Sequence, residues 1–241
     1  MFVAKIAWLL FLEEARERIG FVWNCVLPFT LFVLYRMRWS GGAVDERALV
    51  AGFLGYVLLS HALFGFVLHL IWRREAGFLR SFCVAGLALP RLVGASFVAT
   101  TLSALLSVAV FLVGAGLVFG FWLSALEYIC ILGMSAAVCA LCCSAVLGLM
   151  LPRMSVRGAQ SLLSGLLFIC LGGAYGLREG APLMLQYVDP IEWGRLWLEW
   201  ALGAAPWPSW LGLETVALAA VAGGIGAAGL RRASLAPSWT H

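Results

Sequence analysis

Residues 73–91 read RREAGFLRSFCVAGLALPR. Four arginines and a glutamate are set here between two long apolar runs. Upstream, 25 uncharged residues separate Arg47 from Arg73; downstream, 61 residues separate Arg91 from Arg153, and their only charge is Glu127. A helix crossing the hydrocarbon core needs ~20 mostly apolar residues. The first run is therefore one membrane span. The second is two, with a break near FGFWLS at 119–124. The charged stretch is then a connection between spans two and three.

Composition supports a membrane class. The chain has 241 residues, 63% of them hydrophobic and 12% charged, with a mean hydropathy of +0.99. Globular domains are about half apolar and about a quarter charged. So much apolar surface cannot be hidden in one soluble domain of this size. Soluble enzymes and nucleic-acid binders are excluded, and no segment between apolar runs is long enough to build a second core.

The same charge rulers place three more spans. Seventeen uncharged residues lie between Arg18 and Arg36, and a run of 20 extends from Gly158 to Leu177. The last covers about 210–230. The expectation is an all-α polytopic protein of one transmembrane domain, with spans at 19–35, 48–72, 92–118, 125–151, 158–177 and 210–230. An even number puts both termini on one side. With that side cytoplasmic, 11 of the 16 basic residues fall inside and 5 outside, which follows the positive-inside rule. Arg36, Arg38 and Arg47 go against it.

Three segments are not spans. Residues 1–18 carry Phe2, Ile6, Leu9, Leu10 and Glu13 at helical spacing and read as an interfacial amphipathic helix rather than a signal peptide. Residues 73–90 have a polar face (Arg73, Arg74, Glu75, Arg80) and an apolar one (Phe78, Leu79, Phe82, Val84), punctuated by Gly77 and Gly86. They read as a short cytoplasmic helix, with Pro90 in the first turn of span three. Residues 180–209 hold Trp193, Trp197 and Trp200 at helical spacing, interleaved with Glu192, Arg195 and Glu199. Tryptophan favours the membrane boundary, and a span would bury those charges, so this segment reads as an outer-leaflet helix that does not cross.

Residues able to do chemistry are few. The pattern G-x-x-x-x-G-K-[ST] does not occur, and Lys5 is the sole lysine. The seven cysteines lie in or beside apolar segments and read as small packing residues, not disulfides or metal ligands. His61 and His69, eight apart in span two, are the intramembrane polar candidates. With no carboxylate or cysteine beside them in sequence, they form a weak metal site, and a hydrogen bond across the bundle is the expected role. No metal or catalytic site is assigned.

In their order and spacing these features resemble the ABC-2-type ABC transporter permeases. The family's loop between spans two and three reads like Glu-Arg-x-x-Gly-Thr-Leu-x-x-Leu followed by a proline, and RREAGFLRSF with Pro90 is similar around Glu75, Gly77, Leu79 and Arg80. An Asn-Pro-like turn and an aromatic helix precede the family's last span; Asp189-Pro190 and the helix after it are similar. Arg74 and Phe78 depart from the family's Glu-Arg order and its threonine. The resemblance covers the whole chain. It implies a bacterial inner-membrane subunit with cytoplasmic termini that is not itself an enzyme. ATP and Mg would bind a separate, dimeric ATPase subunit, and Arg73, Arg74, Glu75, Gly77, Phe78, Leu79 and Arg80 would form the coupling helix that meets it. Asp189, Pro190, Glu192, Trp193, Trp197 and Trp200 would form the outer-leaflet helix. A second permease copy or a homologous permease, and membrane lipids, would complete the assembly; nucleic acid would not take part. The implied activity is export of an amphipathic or lipid-linked solute.

Two alternatives stand beside it. The compact, six-span form is similar to the haem-exporter permease of cytochrome c maturation. EEARER at 13–18 matches the Glu-Glu-x-x-x-Arg of CAAX-type intramembrane proteases. However, neither His61 nor His69 has a phenylalanine four residues before it, and Arg73 stands where that family has Asn or Asp.

Overall fold

The computed structural model describes residues 2–16, 22–38, 45–84, 86, 88–150, 154–176, 189–204, 206 and 209–232, and they contain helices and connections but no strand. In chain order the helices are α1 (Phe2–Arg16), α2 (Leu27–Arg38), α3 (Glu46–Glu75), α4 (Phe78–Val84), α5 (Leu89–Phe119), α6 (Ala125–Val146), α7 (Val156–Gly176), α8 (Pro190–Ala201) and α9 (Ser209–Arg232). Positions 180–188 of the expected outer-leaflet segment, Trp207, and the ruler residues Arg18, Arg153 and Leu177 lie outside the described residues.

Three helices are long and apolar enough to cross a membrane: Glu46–Glu75, Leu89–Phe119 and Ala125–Leu149. They match the spans expected at 48–72, 92–118 and 125–151. At 1.5 Å per residue the 31 residues of α5 extend about 46 Å, well beyond a core of about 30 Å. The segments expected at 19–35, 158–177 and 210–230 are helical wherever they are described, but their apolar stretches are shorter, as in Val156–Gly172 and Thr215–Ala228.

Helix α3 is the hub. Its most apolar window is 83% buried, against 39% for α5 and for α6. Every residue from Leu49 to Leu63 is buried. By contrast Leu102, Leu106, Val110, Val113 and Leu117 of α5 are exposed, an aliphatic surface suited to lipid. Halfway along α3 the hydrogen bonding widens to the π-helical pattern over His61–Leu68, with Gly65 at its centre. A second π turn, Val22–Val26, leads into α2. Here the cause is visible: Pro28 has no N–H, and its ring would press on the Asn24 carbonyl four residues back, so the turn before it opens.

Helix ends follow local chemistry. Helix α5 starts with Pro90 in its first turn, as expected. It stops at Gly120, whose φ of 71° is cheap only for glycine. Helix α6 begins four residues on with a capping box, Ser124 and Glu127 bonding each other's backbone N–H. The break therefore falls within 119–124, where the two apolar runs were divided.

The helix expected over 73–90 is divided. Arg73, Arg74 and Glu75 form the last turn of α3, and a turn at Ala76–Gly77 separates them from α4. Gly77 has φ 71° and nothing within 4 Å of where a Cβ would stand. Backbone conformation, not crowding, demands glycine there.

Helix α8 packs on the first half of α3, at the end remote from α4. Two glycines set the separation. A Cβ on Gly55 would stand 2.8 Å from the Ile191 carbonyl oxygen, and one on Gly194 would stand 3.6 Å from Gly55 Cα. Such contact replaces side-chain burial with backbone dispersion, the mode that small residues permit between membrane helices. Gly55→Leu should therefore cost about 1–3 kcal/mol or more through overpacking, whereas Gly133→Leu, in open space, should be near neutral. Thermal unfolding of the purified chain in detergent checks this. Equal stability of the two variants would contradict the crossing.

Candidate functional site

The charged stretch that separates α3 from α5 is more deeply embedded than its composition suggests. Arg73 and Arg74 are each only 2% exposed. Arg73 donates to Ser96 Oγ on α5 at 3.2 Å and to Glu13 Oε2 on α1 at 3.0 Å. Arg74 donates to the Met154 carbonyl at 3.0 Å, just before α7, and lies 3.5 Å from Glu75. A guanidinium has five donors and cannot shed its charge, so burial obliges it to recruit partners. These two arginines bind α1, α5 and the start of α7 to the end of α3. They do not face outward as a contact rim, which is a correction to the amphipathic reading of 73–90. The outward surface is smaller: Phe78, 38% exposed and stacked on Phe82 at 4.4 Å, together with Arg80, Ser81 and Val84. Leu79 is buried and roots α4 on the bundle.

Helix α1 lies along the first third of α5, at the same end as α4. Its buried face is Ala7 and Leu10 against Ala95 and Ala99, with Ile6 and Phe11 beside them. Leu9, expected on the apolar face, is exposed. Alanine on both helices permits the close approach. That approach carries Glu14 inward. Its side chain is 8% exposed and accepts hydrogen bonds from Ser103 Oγ at 2.6 Å and Thr100 Oγ1 at 3.3 Å. His69 Nδ1 lies 3.6 Å from it. His61 shares a 2.9 Å hydrogen bond with Ser107 Oγ.

The two histidines thus meet different partners. His61 makes the cross-bundle hydrogen bond expected of it. His69 has a carboxylate neighbour, contrary to the expectation of none, because α1 folds back from 55 residues upstream. Glu13 and Glu14 were noted only through the Glu-Glu-x-x-x-Arg match, and Ser96, Thr100, Ser103 and Ser107 were not singled out from sequence. The last four recur on α5 at spacings of 4, 3 and 4, one helical face. That polar stripe within an apolar helix was the available signal. Among the described residues no group of three or more His, Cys, Asp or Glu could hold a metal ion.

The opposite end holds a second charged cluster. On α8, Arg195 donates to Glu192 and Glu199, with Nε to Glu192 Oε2 at 2.8 Å, and all three are largely buried. Trp193 is buried, Trp197 donates to Thr215 Oγ1 of α9 at 3.1 Å, and Trp200 is exposed. Asp189 caps α8 by accepting from the Ile191 N–H at 2.9 Å, and Pro190 follows at the first position. Two of the three arginines that break the charge bias are paired here as well: Arg36 with Glu46, and Arg47 with Glu127 at 3.1 Å and with the Leu202 carbonyl.

No protein-family model and no curated protein matches the chain.

Burial raises Asp189 from its ordinary 3.8 to about 6; the Ile191 N–H opposes this, and Glu192 adds to it. An acid with a higher pKa folded than unfolded binds more protons when folded, so stability falls as pH rises from about 4 to about 6 and is level above. Asp189→Asn should flatten that slope. Unfolding temperatures of the full chain across this range check it; an unchanged slope in the variant would assign the effect to another group.

Proposed function

We propose that this chain is the membrane subunit of an ATP-driven exporter of the ABC-2 permease type. The observation that carries the reading is the short helix α4, joined to α3 by a two-residue turn and to α5 by a short connection. Arg73 and Arg74 bind its root to three other helices. A push delivered to α4 would pass into the hub helix without being absorbed by a slack loop, which is what transmission from a partner requires.

In this reading the bundle has six spans with both termini cytoplasmic, in a bacterial inner membrane. Helix α4 docks on a separate ATPase subunit that binds ATP and Mg, and the permease works as a pair. Helix α8 stays in the outer leaflet, in keeping with its tryptophans and its position across the remote half of α3. The exported solute is amphipathic or lipid-linked, in keeping with the scarcity of uncompensated charge among the helices. A haem-exporter-type permease is the nearest variant.

One observation favours a second reading, intramembrane proteolysis. Glu14, from the Glu-Glu-x-x-x-Arg match, does approach His69. However, both Glu14 oxygens accept hydroxyl hydrogen bonds and Glu13 is paired with Arg73, so neither carboxylate is held ready to activate water.

The test is capture of an ABC ATPase subunit encoded beside this chain. Phe78→Asp and Arg80→Glu should each weaken co-purification about tenfold, equivalent to about 1.4 kcal/mol, while the yield of the permease chain is kept because both side chains face outward. Undiminished capture by both variants sinks the docking role. Peptide hydrolysis by the purified chain, lost in Glu13→Ala, would establish the second reading instead.

A further inference from the structure

A polar seam runs through the apolar bundle between α3 and α5. From the α4 end inward it comprises Glu13 with Arg73 and Ser96, then His69 with Glu14, Thr100 and Ser103, then His61 with Ser107. It ends one layer deeper at Ser60, which donates to Asn24 Oδ1 at 2.8 Å. Beyond that layer the helices are closed by phenylalanine. Phe32 lies 5.1 Å from Phe111, 5.5 Å from Phe53 and 5.4 Å from Phe119, with Phe29 on Phe111 at 5.7 Å. The seam is therefore a half-path, polar from one end and sealed toward the other.

Its charge count is unbalanced. Glu13 and Arg73 cancel. Glu14 has hydroxyl donors but no arginine or lysine among its hydrogen-bond and ion-pair partners in the described residues. With both histidines neutral the seam carries one negative charge in an apolar bundle, which is costly. A proton removes it. The other titratable side chains beside the seam are thiols, Cys25 near Ser107 and Cys143 of α6 near Glu14; a thiol is never positive, so neither offers Glu14 a counter-charge.

The break between the Glu14 layer and His61 is also specific. His61 is 4% exposed, and its Nδ1 has no hydrogen-bond partner among the described residues. Between it and the Glu14 layer stands Gly65. A Cβ there would be 3.5 Å from His61 Nδ1, 3.3 Å from Thr100 Cγ2 and 3.9 Å from Thr100 Oγ1. Glycine keeps a side chain from standing between an unsatisfied imidazole nitrogen and a hydroxyl already bonded to Glu14.

We propose that the seam is an intramembrane proton-binding site: Glu14 and His69 share one proton drawn from the aqueous phase at the α4 end, and Gly65, which interposes no side chain, lets His61 respond to it. The bond formed is O–H on Glu14 or N–H on His69, and the proton returns by the same route. Because the two groups interact, the uptake belongs to the pair rather than to either residue. The site requires no ATPase subunit, so it stands or falls separately from the exporter reading.

The experiment uses the full chain in lipid nanodiscs with labelled histidine. Infrared difference spectra report the protonated carboxyl, and nitrogen resonances report each imidazole, across about pH 5 to 8, where histidine sites titrate. Wild type should take up one proton per chain, with a carboxyl band and the His69 resonance changing together. Glu14→Gln should abolish the band, and Glu13→Gln should retain it. Gly65→Ala should keep the band while the His61 resonance ceases to respond. Absence of any protonation in wild type, or a band surviving in Glu14→Gln, overturns the site. A His61 response unchanged in Gly65→Ala overturns the connection. Should Glu14→Gln fail to fold, wild type with Glu13→Gln and Gly65→Ala decides both points.

Discussion

A guanidinium cannot give up its charge to escape an apolar environment, and this bundle is organised around that fact. Arg73 and Arg74 sit where the hub helix ends, each almost wholly buried. Arg73 can be there only because α1 brings Glu13 and α5 brings Ser96. Arg74 is met there by the neighbouring Glu75 and by a carbonyl that the chain before α7 turns toward it. Removing one partner from a buried pair costs about 3–5 kcal/mol, so these contacts tie the helices' positions to one another. The same accounting operates at the far end, where the largely buried Arg195 lies between two glutamates.

Much of the helical layout was legible in the sequence, because uncharged length is a one-dimensional property. The long helices at 46–75, 89–119 and 125–149 follow from the gaps between charges, and the break at Gly120 and Ser124 from residues with known turn and capping chemistry. Helix α8 announced itself through Asp189-Pro190 and its tryptophan spacing. Depth was not legible. Arginine reads as surface unless its partners are known, and Glu13 and Ser96 are 60 and 23 residues from Arg73. The alternation of Arg73, Arg74 and Arg80 with Phe78 and Leu79 looked like one amphipathic helix. A single positive φ at Gly77 instead divides it into an embedded root and an exposed tip.

The histidine layer was obscured for a related reason. Glu14 is 55 positions from His69 in the chain, on a segment whose pattern suggested a surface helix. What brings them together is the small-residue contact of Ala7 with Ala95 and Ala99. Glycine acts alike at the α3–α8 crossing, where its lack of a side chain sets the distance. In both places the information lies in what a residue omits, and hydropathy patterns weigh omission poorly.

The sequence separation of these contacts also bears on how the protein is made. Helix α1 precedes its partners by 60 residues at Arg73 and 89 at Ser103. At about 5–20 residues per second, the ribosome needs roughly 3–18 s to supply them. During that interval Glu13 and Glu14 have no buried site to occupy and must stay hydrated at the membrane surface. Helix α1 can close onto the bundle only after α3 and the first half of α5 have been inserted. Helix α1, synthesised before the other described helices, is thus among the last of them to reach its final place, and its closure can serve as a signal that assembly of that end is complete.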